Sequence, residues 1–267
     1  MTRTFLGAVA VTALSIAAHL GTANAADMNL KAPSPMPPPP PSWTGCYVDA
    51  GWGYGMSNLD QNDFVITPPG FVPASGTYTE GGRGWLGRFG GGCDYQFGLG
   101  NLGNWVIGAF GDYDAMNIHR NFDPGDFAST GNLNESGAWY AGGRIGYLVT
   151  PALLTYWDGG YTETHFDQGN FGPLVAGGST ATIPANTYHG WFIGGGTEYA
   201  LNFSWLPIQG LFWRNEYRYS EYQSANLPVS FATGAATGNG ETIHPYVQTI
   251  TSSLVWRFNW TGPWATH

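Results

Sequence analysis

Charge is what this chain has least of. Its 267 residues include 9 Lys+Arg and 18 Asp+Glu, 10% in all, against about 25% in an ordinary soluble domain; Lys31 is the single lysine. So small a stock of cations builds no basic stripe along a phosphate backbone, which excludes nucleic acid as a partner. Long apolar runs are also missing. Past residue 25 no stretch of about 18 apolar residues occurs, which rules out helical membrane spans there. The aromatic content excludes a disordered chain, the scarcity of Glu and Lys a coiled coil, and the lack of a three-residue glycine period a collagen.

What is abundant is glycine, 41 residues, together with 12 Trp, 15 Tyr and 15 Phe. Residues 1–25 carry one charge, Arg3, an apolar run from Phe5 to Leu20, and the small-x-small sequence Ala23-Asn24-Ala25. This is the pattern of a secretory signal peptide cut after Ala25; Ser15 and His19 interrupt the run and leave it short for a transmembrane anchor. Residues 26–42 hold five consecutive prolines at 37–41. Proline has no amide donor and a fixed φ, so this stretch reads as a stiff periplasmic linker. Residues 43–258 form the folded part, and 259–267 a C-terminal extension.

Within the folded part the periodicity is two. Cys46, Val48, Ala50, Trp52, Tyr54 and Met56 alternate with Tyr47, Asp49, Gly51, Gly53 and Gly55. The same grammar recurs seven times. Trp85, Phe89, Cys93, Tyr95 and Phe97 oppose Arg88, Asp94 and Gln96; Trp105, Ile107, Ala109 and Tyr113 oppose Asp112 and Asp114; Trp139, Ala141, Ile145 and Tyr147 oppose Tyr140 and Arg144. Leu153, Trp157 and Tyr161 oppose Tyr156 and Asp158; Trp191, Ile193 and Tyr199 oppose Glu198; Leu211, Trp213, Tyr217 and Tyr219 oppose Arg214, Glu216 and Arg218. Ile250, Leu254, Trp256 and Phe258 oppose Thr249, Thr251, Ser253 and Arg257. Strict alternation over this length marks half-buried strands.

A soluble barrel would turn the aromatics inward. Here the other face, glycine with isolated charges of both signs, suits a tight hydrogen-bonded interior in which Arg88, Arg144, Arg214, Arg218 and Arg257 pair with Asp49, Asp94, Asp112, Asp158, Glu198 and Glu216. The aromatic face then meets lipid, and closure satisfies every backbone amide, as a bilayer requires. The expected fold is all-β: a transmembrane, antiparallel, up-and-down β-barrel of eight strands. Short links near residues 98–104, 149–151 and 202–207 alternate with long polar ones at about 57–82, 116–136, 164–187 and 221–243. Such asymmetry puts the long loops outside and both termini in the periplasm.

Several short motifs add to this. They are Ala26-Asp27-Met28 with Lys31-Ala32-Pro33, Trp43-Thr44-Gly45-Cys46-Tyr47-Val48, Gly108-Ala109-Phe110-Gly111-Asp112-Tyr113, Gly143-Arg144-Ile145-Gly146-Tyr147, Glu198-Tyr199-Ala200, Glu216-Tyr217-Arg218-Tyr219, and Ser253-Leu254-Val255-Trp256-Arg257-Phe258-Asn259-Trp260. In this order, over nearly the whole chain, they resemble the opacity-protein-like small outer-membrane β-barrels, the surface-antigen and porin-family barrels of Gram-negative bacteria. The resemblance implies a cell outer membrane location, eight strands, and roles in envelope integrity and surface contact. Two departures stand out. Phe110 stands where many relatives are acidic, which implies one fewer interior salt link, and nine residues follow Phe258, so the strand-end aromatics Trp256 and Phe258 that such barrels use in assembly are not terminal.

Cys46 and Cys93 fall on the same face of adjacent strands, near the same end. A disulfide needs Cα atoms within about 7 Å, in a compartment that permits it; a one-residue shift of register leaves two thiols instead. His119, His165, His189 and His244 all sit near the long-loop ends of strands, as metal or haem ligands around one rim or as plain girdle residues; no two have ligand spacing. Asp114 with His119 and His165 is the best set available to an outer-membrane enzyme, but no motif positions a nucleophile. Gly82-Arg83-Gly84-Trp85-Leu86-Gly87 matches a dinucleotide fingerprint only formally, because it opens an alternating strand instead of leading into a helix. No cofactor is expected.

Eight strands leave an interior filled by side chains, whereas water-filled porins use about 16. The favoured function is a structural, surface-antigen barrel whose partners are outer-membrane lipid, the outer-membrane assembly machinery, and host or matrix molecules met at loop residues such as Phe71, Phe122, Phe127 and Phe171. A narrow pore for small solutes is the alternative, because rows of interior glycine could leave a polar path, and an enzyme is the distant third.

Overall fold

The computed structural model describes residues 41–122, 129–173, 180–201 and 210–258. The signal peptide, most of the proline linker, Phe127 and the extension at 259–267 lie outside the described residues. Alternation draws the chain into twelve strands: β1 (Gly45–Thr67), β2 (Gly70–Pro73), β3 (Tyr78–Gly98), β4 (Asn104–Phe122), β5 (Ser129–Thr150), β6 (Leu153–Phe166), β7 (Gly169–Pro173), β8 (Ala181–Ile183), β9 (Asn186–Ala200), β10 (Leu211–Tyr222), β11 (Ala225–Phe231) and β12 (Ala236–Phe258). Eight of them form an antiparallel ring in the order β1-β3-β4-β5-β6-β9-β10-β12. It is closed by β1 against β12, from Cys46 opposite Phe258 to Val65 opposite Asn239. The four short strands β2, β7, β8 and β11 extend the sheet at the end of the barrel away from Gly45 and Phe258. Among the described residues the one helical turn is a 3-10 turn, Gly100–Leu102.

Each ring strand sends alternate side chains to opposite faces. Trp52, Trp85, Phe89, Trp139, Trp157, Trp191 and Ile250 look outward and are exposed, while Tyr47, Asp49, Arg88, Arg144, Glu198, Arg218 and Arg257 are buried in the lumen. On β1 the outward apolar run extends from Cys46 to Met56, a height of roughly 25 Å for a strand tilted near 40°, which is that of an outer-membrane apolar band.

Beyond this belt the rule inverts. The outward positions become Asn58, Asp60 and Asn62 on β1, Asn117 and His119 on β4, and Glu163 and His165 on β6, while the inward ones become apolar: Leu59, Met116, Ile118, Leu133, Phe166, Tyr188, Ile243 and Val247 share one buried cluster. There the wall stands in water and packs like a soluble barrel. The expected long loops are correspondingly shorter. β1 runs on to Thr67 and β3 starts at Tyr78; β4 and β5 cover most of 116–136, and β12 starts at Ala236. Once the lipid side stops demanding aromatics, the pattern that marked the strands ends, although the strands do not.

Candidate functional site

The lumen is filled in layers. At the end bearing the chain ends, Trp43 is fully buried. Its indole N–H donates to the Pro151 carbonyl at 3.1 Å, and its ring meets Phe212 with centroids 4.8 Å apart. Val106, Leu148, Leu154 and Val255 complete this apolar plug.

Above it lies the first ionic layer. Glu198 accepts from three arginines: Arg144 Nη1 at 3.2 Å, Arg214 Nε at 3.0 Å, and Arg257 through Nε at 3.0 Å and Nη2 at 2.7 Å. Asp94 pairs with Arg144 and with Arg257 at 2.7 Å, and Asp49 with Arg214 at 3.2 Å. The Tyr47 ring is packed among the guanidiniums of Arg144, Arg214 and Arg257 at 4.8, 4.7 and 4.9 Å.

The second layer is organised by Arg88 and Arg218. Arg88 grips Asp114 in a fork, 2.6 and 2.7 Å, and also reaches Glu216 and the Thr251 hydroxyl. Arg218 grips Asp112 in a second fork, 2.7 and 2.8 Å, and touches Glu216 and Asp158 at 2.7 and 3.4 Å. Tyr156 donates to Glu216 at 2.6 Å. Forked Arg–carboxylate pairs are the geometrically specific kind. All eleven residues expected in the interior network face the lumen, and each has an ionic partner. Asp114 belongs with them: it is buried against Arg88, not drawn up as a rim acid. Phe110 lies beneath the Arg218 guanidinium at 5.0 Å and beside Phe192, so a ring face meets the cation there.

At the far end the lumen holds a different set. Arg120 donates to Ser57 at 2.6 Å, Thr164 donates to Glu135, and Tyr78 donates to Asp63 at 3.1 Å. Glu241 is directly opposite Asp63 in the β1–β12 ladder; burial, and then the charges of Asp63 and Glu80, push its carboxyl up to about 9. Sequence reasoning missed these groups. Arg120 continues the even-numbered inward face of β4 past the point where the aromatics stop, and an irregularity between Glu135 and Gly137 shifts β5 by one residue, so Glu135 faces inward from an odd position.

The remaining candidates do not converge. His119, His165, His189 and His244 point outward, each with its own neighbour: Asn134, Thr187, Tyr161 and Tyr246. Among the described residues no three His, Cys, Asp or Glu side chains gather at metal-binding geometry. Cys46 and Cys93 are opposed in the β1–β3 ladder and joined by a disulfide. Trp256 and Phe258 lie on the outer face, ring centroids 5.8 Å apart. Phe71 is exposed, but Phe171 is buried in the far-end cluster, which removes it from the loop contacts expected of it.

A closed ring with an aromatic belt outside and paired charges within is the architecture of an outer-membrane β-barrel, and such a protein resides in the cell outer membrane. The chain is similar, at 26% identity over 223 residues covering 80% of this chain and 87% of the relative, to the 31 kDa outer-membrane immunogenic protein of Brucella melitensis and of Brucella suis. Among solved structures it is similar to Ail, the attachment invasion locus protein of Yersinia pestis (12% identity, 80% of this chain and 99% of that one, TM-score 0.36), and to the outer membrane protein OprG of Pseudomonas aeruginosa (12%, 80% and 97%, TM-score 0.42). No protein-family model matches the chain.

Proposed function

We propose that this protein is a filled barrel that strengthens the envelope and presents its far-end loops at the cell surface as an antigen, with the end bearing Gly45 and Phe258 in the periplasm. The observation that carries this reading is the double ionic layer around Glu198 and Glu216, backed by the Trp43 plug. The interior glycines support it as well. A Cβ at Gly90 would strike Asp112, and one at Gly92 would stand 2.7 Å from the Tyr47 hydroxyl, so glycine there makes room for lumen side chains and not for water. Similarity to immunogenic outer-membrane proteins points the same way. The partners are outer-membrane lipid at the belt, the assembly machinery at the Trp256–Phe258 strand, and host or matrix molecules at the loops.

The test joins planar-bilayer recording to deletion of the four far-end connections one at a time, scored for cell-surface binding and envelope leakage. Silence in the bilayer with loss of binding or integrity in a deletion supports the reading. Reproducible single-channel steps establish the pore instead, and full binding and integrity in every deletion overturn the surface role.

A further inference from the structure

Where β1 runs past its ring neighbours it carries an apolar tip into water. Its ladder with β3 ends at Gln61 and that with β12 at Val65, and residues 64–67 go on in a hairpin with β2. Ile66 lies ten residues beyond Met56, roughly 25 Å above the belt for a strand tilted near 40°. Val65, Ile66, Phe71 and Val72 are 39%, 40%, 53% and 54% exposed. The finger is nonetheless held in place. The Phe71 ring rests on buried Phe64, centroids 4.8 Å apart. At the base Asp63 N–H donates to Ser75 Oγ, and Ala74 N–H to the Asp63 carbonyl, both at 2.8 Å.

Charge is absent from this part of the wall. No Asp, Glu, Lys or Arg lies between Asp63 and Glu80, nor between Glu221 and Glu241, the stretch that forms the neighbouring β11–β12 hairpin with exposed Phe231 near its turn. An uncharged finger on a chain of net charge −9 is matched to a neutral surface, since an anionic one repels the barrel behind it. The apolar residues also occupy both faces of the ribbon. Val65 opposes Val72, the next pair is Ile66 with Phe71, and successive pairs point to opposite sides. A protein surface covers one face of such a ribbon, whereas lipid surrounds both. Four side chains are also few against the about 20–30 residues that each partner gives to a stable protein interface.

We propose that the β1–β2 finger docks on a neutral, zwitterionic lipid bilayer facing the cell, burying Val65, Ile66, Phe71 and Val72 at its hydrocarbon boundary. Contiguous exposed apolar side chains are a mark of membrane contact. Each finger binds weakly, and many barrels in one outer membrane add their contacts together. This deepens the surface-contact reading by naming the partner's chemistry, and it rests on the far end lying outside the cell.

The barrel in nanodiscs, mixed with phosphatidylcholine vesicles, provides the test. Cys46 and Cys93 are bonded to each other, so Phe71→Cys introduces the single free thiol. A polarity-sensitive fluorophore on it should brighten and shift to the blue with vesicles, and nitroxide-labelled lipid in those vesicles should quench it. Ile66→Ser with Val72→Ser should weaken co-sedimentation about tenfold or more, as expected for two apolar side chains kept from hydrocarbon. Leu102→Ser, exposed in the turn at the opposite end, should leave it unchanged. Anionic lipid in the vesicles should weaken it. An unresponsive or unquenched fluorophore, equal sedimentation of wild type and the Ile66→Ser, Val72→Ser variant, or stronger binding to anionic vesicles overturns the proposal. A membrane-impermeant maleimide on intact cells carrying Phe71→Cys tests the orientation separately: labelling supports an outside far end, and no labelling overturns that reading whatever the vesicles show.

Discussion

Arg218 on β10 and Asp112 on β4 meet across the barrel through two parallel hydrogen bonds of 2.7 and 2.8 Å, although 106 residues separate them in the chain. The pair is buried, and the same guanidinium also serves Glu216 and Asp158.

Removing that guanidinium leaves three buried carboxylates short of a counter-charge. Arg218→Met is therefore expected to cost about 3–5 kcal/mol, the usual effect of breaking a buried pair from one side. Arg218→Met combined with Asp112→Leu is expected to recover part of the loss, because the cost lies in the orphaned charge. Urea unfolding in micelles, followed by tryptophan fluorescence, measures both.

The Cys46–Cys93 bond closes a sequence separation of 47 residues. Protein unfolded without reductant is expected to show no free thiol by mass spectrometry. Cys46→Ser with Cys93→Ser should lower stability by up to about 4 kcal/mol on the chain-entropy model, while the ring itself still closes.

Two glycines on β3 and β4 should respond oppositely to the same change. A methyl at Gly108 faces the lumen and collides with Asp94 Oδ1, the acceptor of Arg144 Nε. Gly108→Ala is expected to destabilise by about 1–3 kcal/mol through overpacking. Gly87 has nothing within 4 Å of its added methyl, so Gly87→Ala should be neutral or mildly stabilising, since alanine loses less chain entropy on folding. Parallel urea titrations decide it.

Stability should also depend on pH through Glu241. Its carboxyl titrates near 9 in the folded chain and near 4.5 when unfolded, so between these values the folded state holds the extra proton. Stability is then greatest below about 4.5 and declines as pH rises towards 9. The difference in melting temperature between wild type and Glu241→Gln should shift in favour of the variant across this window. A constant difference would show that Glu241 does not titrate there.

How far the sequence discloses this architecture depends on which solvent a strand faces. Within the belt, lipid outside and ion pairs inside leave opposite marks at i and i+1, and Arg214-Asn215-Glu216-Tyr217-Arg218 is readable as a wall with a charged inner face. Above the belt, both faces carry mixed residues. Asn58, Leu59, Asp60 and Gln61 look like a loop by composition, yet ladder pairing to β3 and β12 continues through them. Asp63, Glu80 and Glu241 were hidden for that reason. Trp43 was hidden for another: it precedes β1, and only the closed ring shows that it stoppers the lumen.

Arg257 donates to the carbonyl of Trp43 at 3.3 Å, spanning 214 residues. The last strand thus supplies both the final wall segment and a hydrogen bond that seats the stopper of the first. No lumen exists until almost the whole chain has been synthesised, and contacts of such separation form slowly. During that interval the aromatic face has neither lipid nor a partner strand. The biogenesis of this barrel is therefore a matter of timing as much as of stability: the chain must be kept from aggregating until residue 257 arrives.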